Sequence, residues 1–78
     1  MNANEIRDLL RSQPFEPLRL HLSDGASYDV PHPEMVLVTR YKIHLALPPS
    51  EGEMPERTVY LDPLHITRVE PIRTPKSA

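Results

Sequence analysis

Residues 18–30 read Leu-Arg-Leu-His-Leu-Ser-Asp-Gly-Ala-Ser-Tyr-Asp-Val, and the period of two in this stretch decides the fold class. Leu18, Leu20 and Leu22 alternate with Arg19, His21 and Ser23, so one side is apolar and the other polar, as a half-buried strand requires. Asp24-Gly25 is a turn signal: glycine takes left-handed backbone without a Cβ clash, and aspartate bonds its own main chain. Beyond it, Tyr28 and Val30 alternate with Ser27 and Asp29. A strict two-residue turn sets Leu22 opposite Ser27 and mixes the faces. Pairing Leu22 with Tyr28 and Leu20 with Val30 keeps the apolar residues on one side, which predicts a longer or bulged turn.

Upstream of the hairpin the period changes. Ile6, Leu9 and Leu10 recur at i, i+3 and i+4, the spacing of one helical face, and Asn2 or Asn4 can cap the start. With Asn2 as cap, Glu5 stands three residues on, where its side chain reaches back to the cap amide and favours the positive end of the helix dipole. A helix over residues 3–12 is expected, stopped by Pro14, and Phe15 is expected to anchor the connector that follows.

Downstream, Pro31-His32-Pro33 breaks the chain. Met35 to Thr39 is then a continuous apolar run, which predicts a strand covered on both sides at the centre of the sheet. Ile43, Leu45 and Leu47 alternate with Lys42, His44 and Ala46 until Pro48-Pro49 ends that strand. Pro48 to Arg57 is an acidic, solvated loop in this reading. Val59 and Leu61 alternate with Tyr60 and Asp62. Asp62-Pro63-Leu64-His65 then has a capping residue before proline, suited to a single tight helical turn, and a last strand runs from Ile66 to Glu70.

The chain has 78 residues, 38% hydrophobic and 26% charged, with ten prolines and two glycines. A domain of this size buries only about 60–65% of its unfolded surface, so multidomain architectures and large enzyme scaffolds are excluded. There is no cysteine, hence no disulfide framework and no argument for an oxidising compartment. No apolar run approaches the roughly 20 residues of a membrane-spanning helix, and Met1 to Glu5 lacks the order of a signal peptide. A soluble, cytoplasmic protein is expected. The formal charge of −2 supplies no global field that collects phosphate backbones, so a nucleic-acid role needs a local patch.

Short connections favour neighbouring antiparallel strands, and rolling so small a sheet buries more than leaving it flat. The expected fold is mainly β: an N-terminal helix followed by a strongly bent five-stranded antiparallel sheet forming a small barrel. It occupies one domain over residues 1–72, with the barrel over 18–70 and a flexible tail over 73–78. The pattern Leu18-x-Leu20-x-Leu22-x-Asp24-Gly25-x-x-Tyr28 is similar to the start of the first Sm motif. Val59 to Ile66 resembles the strand, tight turn and strand that close the Sm-like barrel. In acidity and in both ends the chain looks closer to the bacterial Rho-antagonist family Rof than to RNA-binding Sm rings. It also resembles a group of short uncharacterised bacterial proteins with a leading helix, a Pro-Phe connector and a Leu-Ser-Asp-Gly hairpin. Sm and Hfq rings often carry an Arg-Gly or similar basic element in the closing turn; here that turn is Asp62-Pro63-Leu64-His65, so the resemblance carries over no RNA-binding residue.

Several side-chain sets are candidate sites. His21, His32, His44 and His65 form no His-x-His or His-Glu-x-x-His unit, and no metal or other cofactor is expected. His21, Ser23 and Asp24 include base, nucleophile and acid types, but Asp24 belongs to a turn and no oxyanion cradle accompanies the serine, so no enzyme is expected. Arg40-Tyr41-Lys42, joined by Arg19, can stack a base and hold a phosphate. Glu51, Glu53 and Glu56 can face a basic partner. The leading expectation is a non-enzymatic interaction module that binds another protein, basic or RNA-binding in Rof-like fashion, by the acidic loop or a strand edge. The alternative is single-stranded RNA or DNA binding through Arg19, Arg40, Tyr41 and Lys42. An open edge also offers a place for a second copy, which prolines beside the strands oppose.

Overall fold

The computed structural model describes residues 1–48, 52, 54, 55 and 57–72. The chain runs through α1 (Ala3–Leu10), β1 (Leu18–Leu22), β2 (Ser27–Val30), a 3₁₀ helix (Pro33–Met35), β3 (Val36–Val38), β4 (Ile43–Ala46), β5 (Thr58–Leu61), a second 3₁₀ helix (Pro63–His65) and β6 (Ile66–Pro71). The fold is mainly β with one N-terminal helix, as the alternation predicts.

The capping box forms as expected. The Glu5 amide donates to Asn2 Oδ1 at 2.9 Å, and the Asn2 amide donates to Glu5 Oε1 at 3.2 Å. Two of the helix's orphan donors are thereby satisfied. The helix ends at Leu10 rather than at residue 12. The Arg11 amide is shared between the Arg7 and Asp8 carbonyls, and the Ser12 hydroxyl donates to the Asp8 carbonyl at 3.2 Å, so the last turn tapers. Ile6 is buried, and Leu9, Leu10 and Phe15 pack against the core around it.

The β1–β2 turn is longer than two residues, as face-matching requires, but its register is tighter than expected. Leu18 faces Val30 and Leu20 faces Tyr28, two residues from the expected pairing of Leu20 with Val30. The Gly25 amide donates to the Leu22 carbonyl, the Leu22 amide donates to the Ala26 carbonyl at 2.9 Å, and Gly25 has φ +90°. This is a three-residue loop with glycine in the left-handed position. Both registers keep the apolar face intact, because they differ by an even step, and the Asp24 side chain selects the shorter one by accepting the Ala26 amide.

The strands form two three-stranded antiparallel sheets, sheet A in the order β2-β1-β6 and sheet B in the order β3-β4-β5. The expectation of one five-stranded sheet therefore needs correcting. Among the described residues there are six strands, and β2 and β3 are separate because Pro31 and Pro33 cannot donate to a ladder. At that point the chain turns through Pro33–Met35 and passes from sheet A to sheet B. The same break corrects the placing of residues 35–39. β3 is an edge strand, with Val36 and Val38 turned inward and Leu37 63% exposed. The central strands are β1 and β4.

Ile6, Leu18, Leu20, Val30, Ile43, Leu45, Leu61 and Ile66 make one buried cluster, to which both sheets and the helix contribute. The closing turn forms as its sequence predicts. Asp62 accepts the Leu64 amide at 2.9 Å, Pro63 occupies the first helical position, and β6 returns beside β1. Between His21 and Leu22 that ladder shifts register, which leaves Thr67 of β6 as an extra residue; its hydroxyl donates to the His21 carbonyl.

Candidate functional site

Each sheet has one outward surface, and the two differ in chemistry. On sheet A, Asp29, Arg19 and Glu70 stand in one cross-strand row, and Ser27, His21 and Arg68 in the next. Arg19 holds Asp29 through two bonds, Nε at 2.7 Å and Nη2 at 3.2 Å. That hydrogen-bonded pairing lowers the Asp29 carboxyl pKa and raises that of the Arg19 guanidinium. His21 Nε2 meets Glu70 Oε1, and Arg68 Nε lies 3.3 Å from the same oxygen. The charges of this surface answer one another.

On sheet B the register places Leu37, His44 and Tyr60 in one row across all three strands. The His44 and Tyr60 rings meet edge to face with centroids 4.8 Å apart, and Lys42 Nζ stands 5.4 Å from the Tyr60 centroid. Leu37 and Tyr60 are 63% and 66% exposed. A row of apolar and aromatic groups in water costs free energy that an ion-paired surface does not. Tyr60 belongs to β5, an edge strand whose second side has no partner strand among the described residues.

An open groove of about 650 Å³ lies beside β5, lined by Leu22, Ser23, Asp24, Tyr28, Val59, Tyr60, Leu61, Asp62 and His65. Within it, Ser23 Oγ and His65 Nδ1 are 3.0 Å apart. Among the described residues no carboxylate hydrogen-bonds the other ring nitrogen of His65, so the pair lacks the orienting third group that nucleophilic catalysis uses. Ser23 and His21 do not meet; His21 is engaged with Glu70. Asp24 is held in its turn by the Ala26 amide.

The Arg40-Tyr41-Lys42 segment forms the β3–β4 turn, where the Thr39 amide and hydroxyl both donate to the Lys42 carbonyl. Tyr41 is 79% exposed. Arg40 lines a cavity of about 390 Å³ with Asn2, Asn4 and Arg7 of the helix end. Arg19 does not join this group. It lines a separate depression with Leu47 and Pro48, beyond the far end of β4, whose four residues span about 13 Å. Glu51, Glu53 and Glu56 lie outside the described residues. His21 is on β1 and His44 on β4, in different sheets. Among the described residues no three histidine, aspartate or glutamate side chains gather where they could hold a metal ion, and no helix is long and apolar enough to cross a membrane.

Sequence reasoning missed the Leu37–His44–Tyr60 row and the Ser23–His65 contact. The outward positions 42, 44 and 60 are readable from the alternation. Their neighbours across strands are not, because register between β4 and β5 is set across a long intervening loop. No family model, curated protein or solved structure matches the chain.

Proposed function

We propose that this protein is a non-enzymatic interaction module that binds a partner protein on sheet B. The observation that carries this reading is the Leu37–His44–Tyr60 row, with Leu37 and Tyr60 exposed, continuous with the side of β5 that no described strand pairs with. Exposed aromatic and apolar groups next to an open strand edge suit side-chain anchoring together with main-chain pairing, a recurrent mode of protein recognition. A nucleic-acid backbone is less suited to this face, given the apolar row and the overall charge of −2.

The finer architecture belongs to the same reading. We take the two sheets as an opened small barrel of Sm-like type, with β2 and β3 as halves of one strand interrupted at Pro31–Pro33. This is supported by the order of sheet A, β6-β1-β2, which then continues along the chain into β3-β4-β5. A Rof-like regulatory role rests on the sequence resemblance alone.

The test is capture of partners from native lysate on the immobilised protein, with a nuclease-treated control. A protein band that survives nuclease and disappears with both Leu37→Asp and Tyr60→Ala supports the reading; capture indifferent to both overturns it. A second reading, single-stranded nucleic acid at the β3–β4 turn, draws on the cavity that Arg7 and Arg40 share beside exposed Tyr41. There, Arg40→Ala with Lys42→Ala abolishes capture and nuclease removes it.

A further inference from the structure

We propose that the groove beside β5 receives an extended, arginine-bearing segment of the partner protein, added as a strand to the free side of β5 with its cationic side chain between Tyr28 and Tyr60. This rests on the protein-partner reading and names what the partner must present.

The main chain supplies the first reason. The Leu47 amide donates to the Arg57 carbonyl at 2.9 Å. Antiparallel alternation then turns the main-chain groups of Val59 and Leu61 toward β4, and those of Thr58 and Tyr60 toward the open side. The groove is lined by four consecutive residues from Val59 to Asp62 and by none of β4, so it runs along that open side. An extended segment laid there pairs with Thr58 and Tyr60 while alternate side chains point into the groove.

Charge supplies the second reason. The carboxylates of the groove wall are Asp24 and Asp62, and among the described residues no lysine or arginine lines it. Each uses Oδ1 to accept a turn amide, from Ala26 and from Leu64 respectively, which leaves Oδ2 for a ligand. Among the described residues neither is in an ion pair. Tyr28 and Tyr60 add ring faces that attract a cation, and Lys42 already stands over Tyr60 from outside the groove. A planar guanidinium matches both features, because it can stack on a ring and donate in its plane to carboxylates. At about 650 Å³ the space falls within the range of roughly 300–1,000 Å³ typical of ligand clefts.

The probe is a short dye-labelled peptide alternating arginine with valine and threonine, titrated by fluorescence anisotropy against the same peptide with glutamate for arginine. The arginine peptide is expected to bind and the glutamate peptide not. Amide hydrogen exchange should slow at Thr58 and Tyr60. The variant carrying both Asp24→Asn and Asp62→Asn keeps the turn-capping oxygens and its melting temperature, and should bind about tenfold more weakly. Equal affinity in that variant, equal binding of the glutamate peptide, absence of binding, or protection centred on Arg40 to Lys42 each overturns the assignment. So does a dimer through β5 that the peptide fails to displace. If the peptide fails while Leu37-dependent capture persists, the groove assignment falls alone; if that capture fails as well, the protein-partner reading falls with it.

Discussion

The outer surfaces of the two sheets make an instructive pair. Sheet A and sheet B share one core, are equal in strand number and face water alike, yet sheet A presents Arg19 paired with Asp29, and His21 and Arg68 paired with Glu70, while sheet B presents Leu37, His44 and Tyr60. A surface whose charges are already answered has little to offer a partner, since binding must first strip its water and then replace good contacts. On sheet B, Leu37 and Tyr60 instead leave most of their apolar surface against water. Position in the fold therefore does not mark a face for recognition; the state of its side chains does.

Both surfaces rest on a common core, and the largest effects are expected from cutting that core from each side. Leu20→Ala in sheet A and Leu45→Ala in sheet B remove side chains that are 1% and 0% exposed, and each should cost about 2–5 kcal/mol. Thermal unfolding should stay a single transition in both; separate transitions for the two variants would mean that the sheets are independent units. The next largest effect sharpens the contrast between surfaces. Tyr60→Ala should weaken partner capture by about 2 kcal/mol, roughly thirtyfold, and Arg68→Ala should leave it unchanged, with capture from lysate as the measurement.

Two smaller effects concern sheet A alone. Gly25→Ala should destabilise by about 1 kcal/mol, read from urea melts, and the cost is conformational: φ is +90° and a Cβ there meets nothing within 4 Å. The Arg19–Asp29 pair comes last, because the two side chains are 45% and 50% exposed and solvent screens them. The folded-state pKa of Asp29 is depressed, so its stabilisation is present above the unfolded-state value and is lost as pH falls through the lower folded one. Wild type should exceed Asp29→Asn slightly at neutral pH, and the gap should close in strongly acidic solution. A gap that widens on acidification contradicts the pairing.

Much of the fold could be read from local chemistry. Asn2 and Glu5, the alternation after Leu18, the Asp24-Gly25 turn and Asp62-Pro63 each act through neighbours in the chain, and each forms in place. What escaped depends on distant partners. An apolar run such as 35–38 looks the same whether both sides or one are covered, and only the prolines before it hinted that β3 would lie at an edge. The expected site fared similarly. Arg40, Tyr41 and Lys42 adjoin in sequence and stay together, whereas Arg19 was to be brought in by the fold, and Asp29 and Leu47 define its surroundings instead. The sheet B row draws one residue from each of three strands, a grouping that no window of sequence contains.

The ladder joining Leu18 to Pro71 also bears on synthesis. The β1–β2 hairpin emerges from the ribosome early, and its flank on β1 stays bare until β6 has emerged as well. The β3–β5 meander can zip meanwhile, since its partners follow one another along the chain. A chain whose residues 66–71 have not yet left the ribosome therefore holds out an unsealed strand to chaperones or to its siblings, and the docking of β6 beside β1 withdraws the invitation.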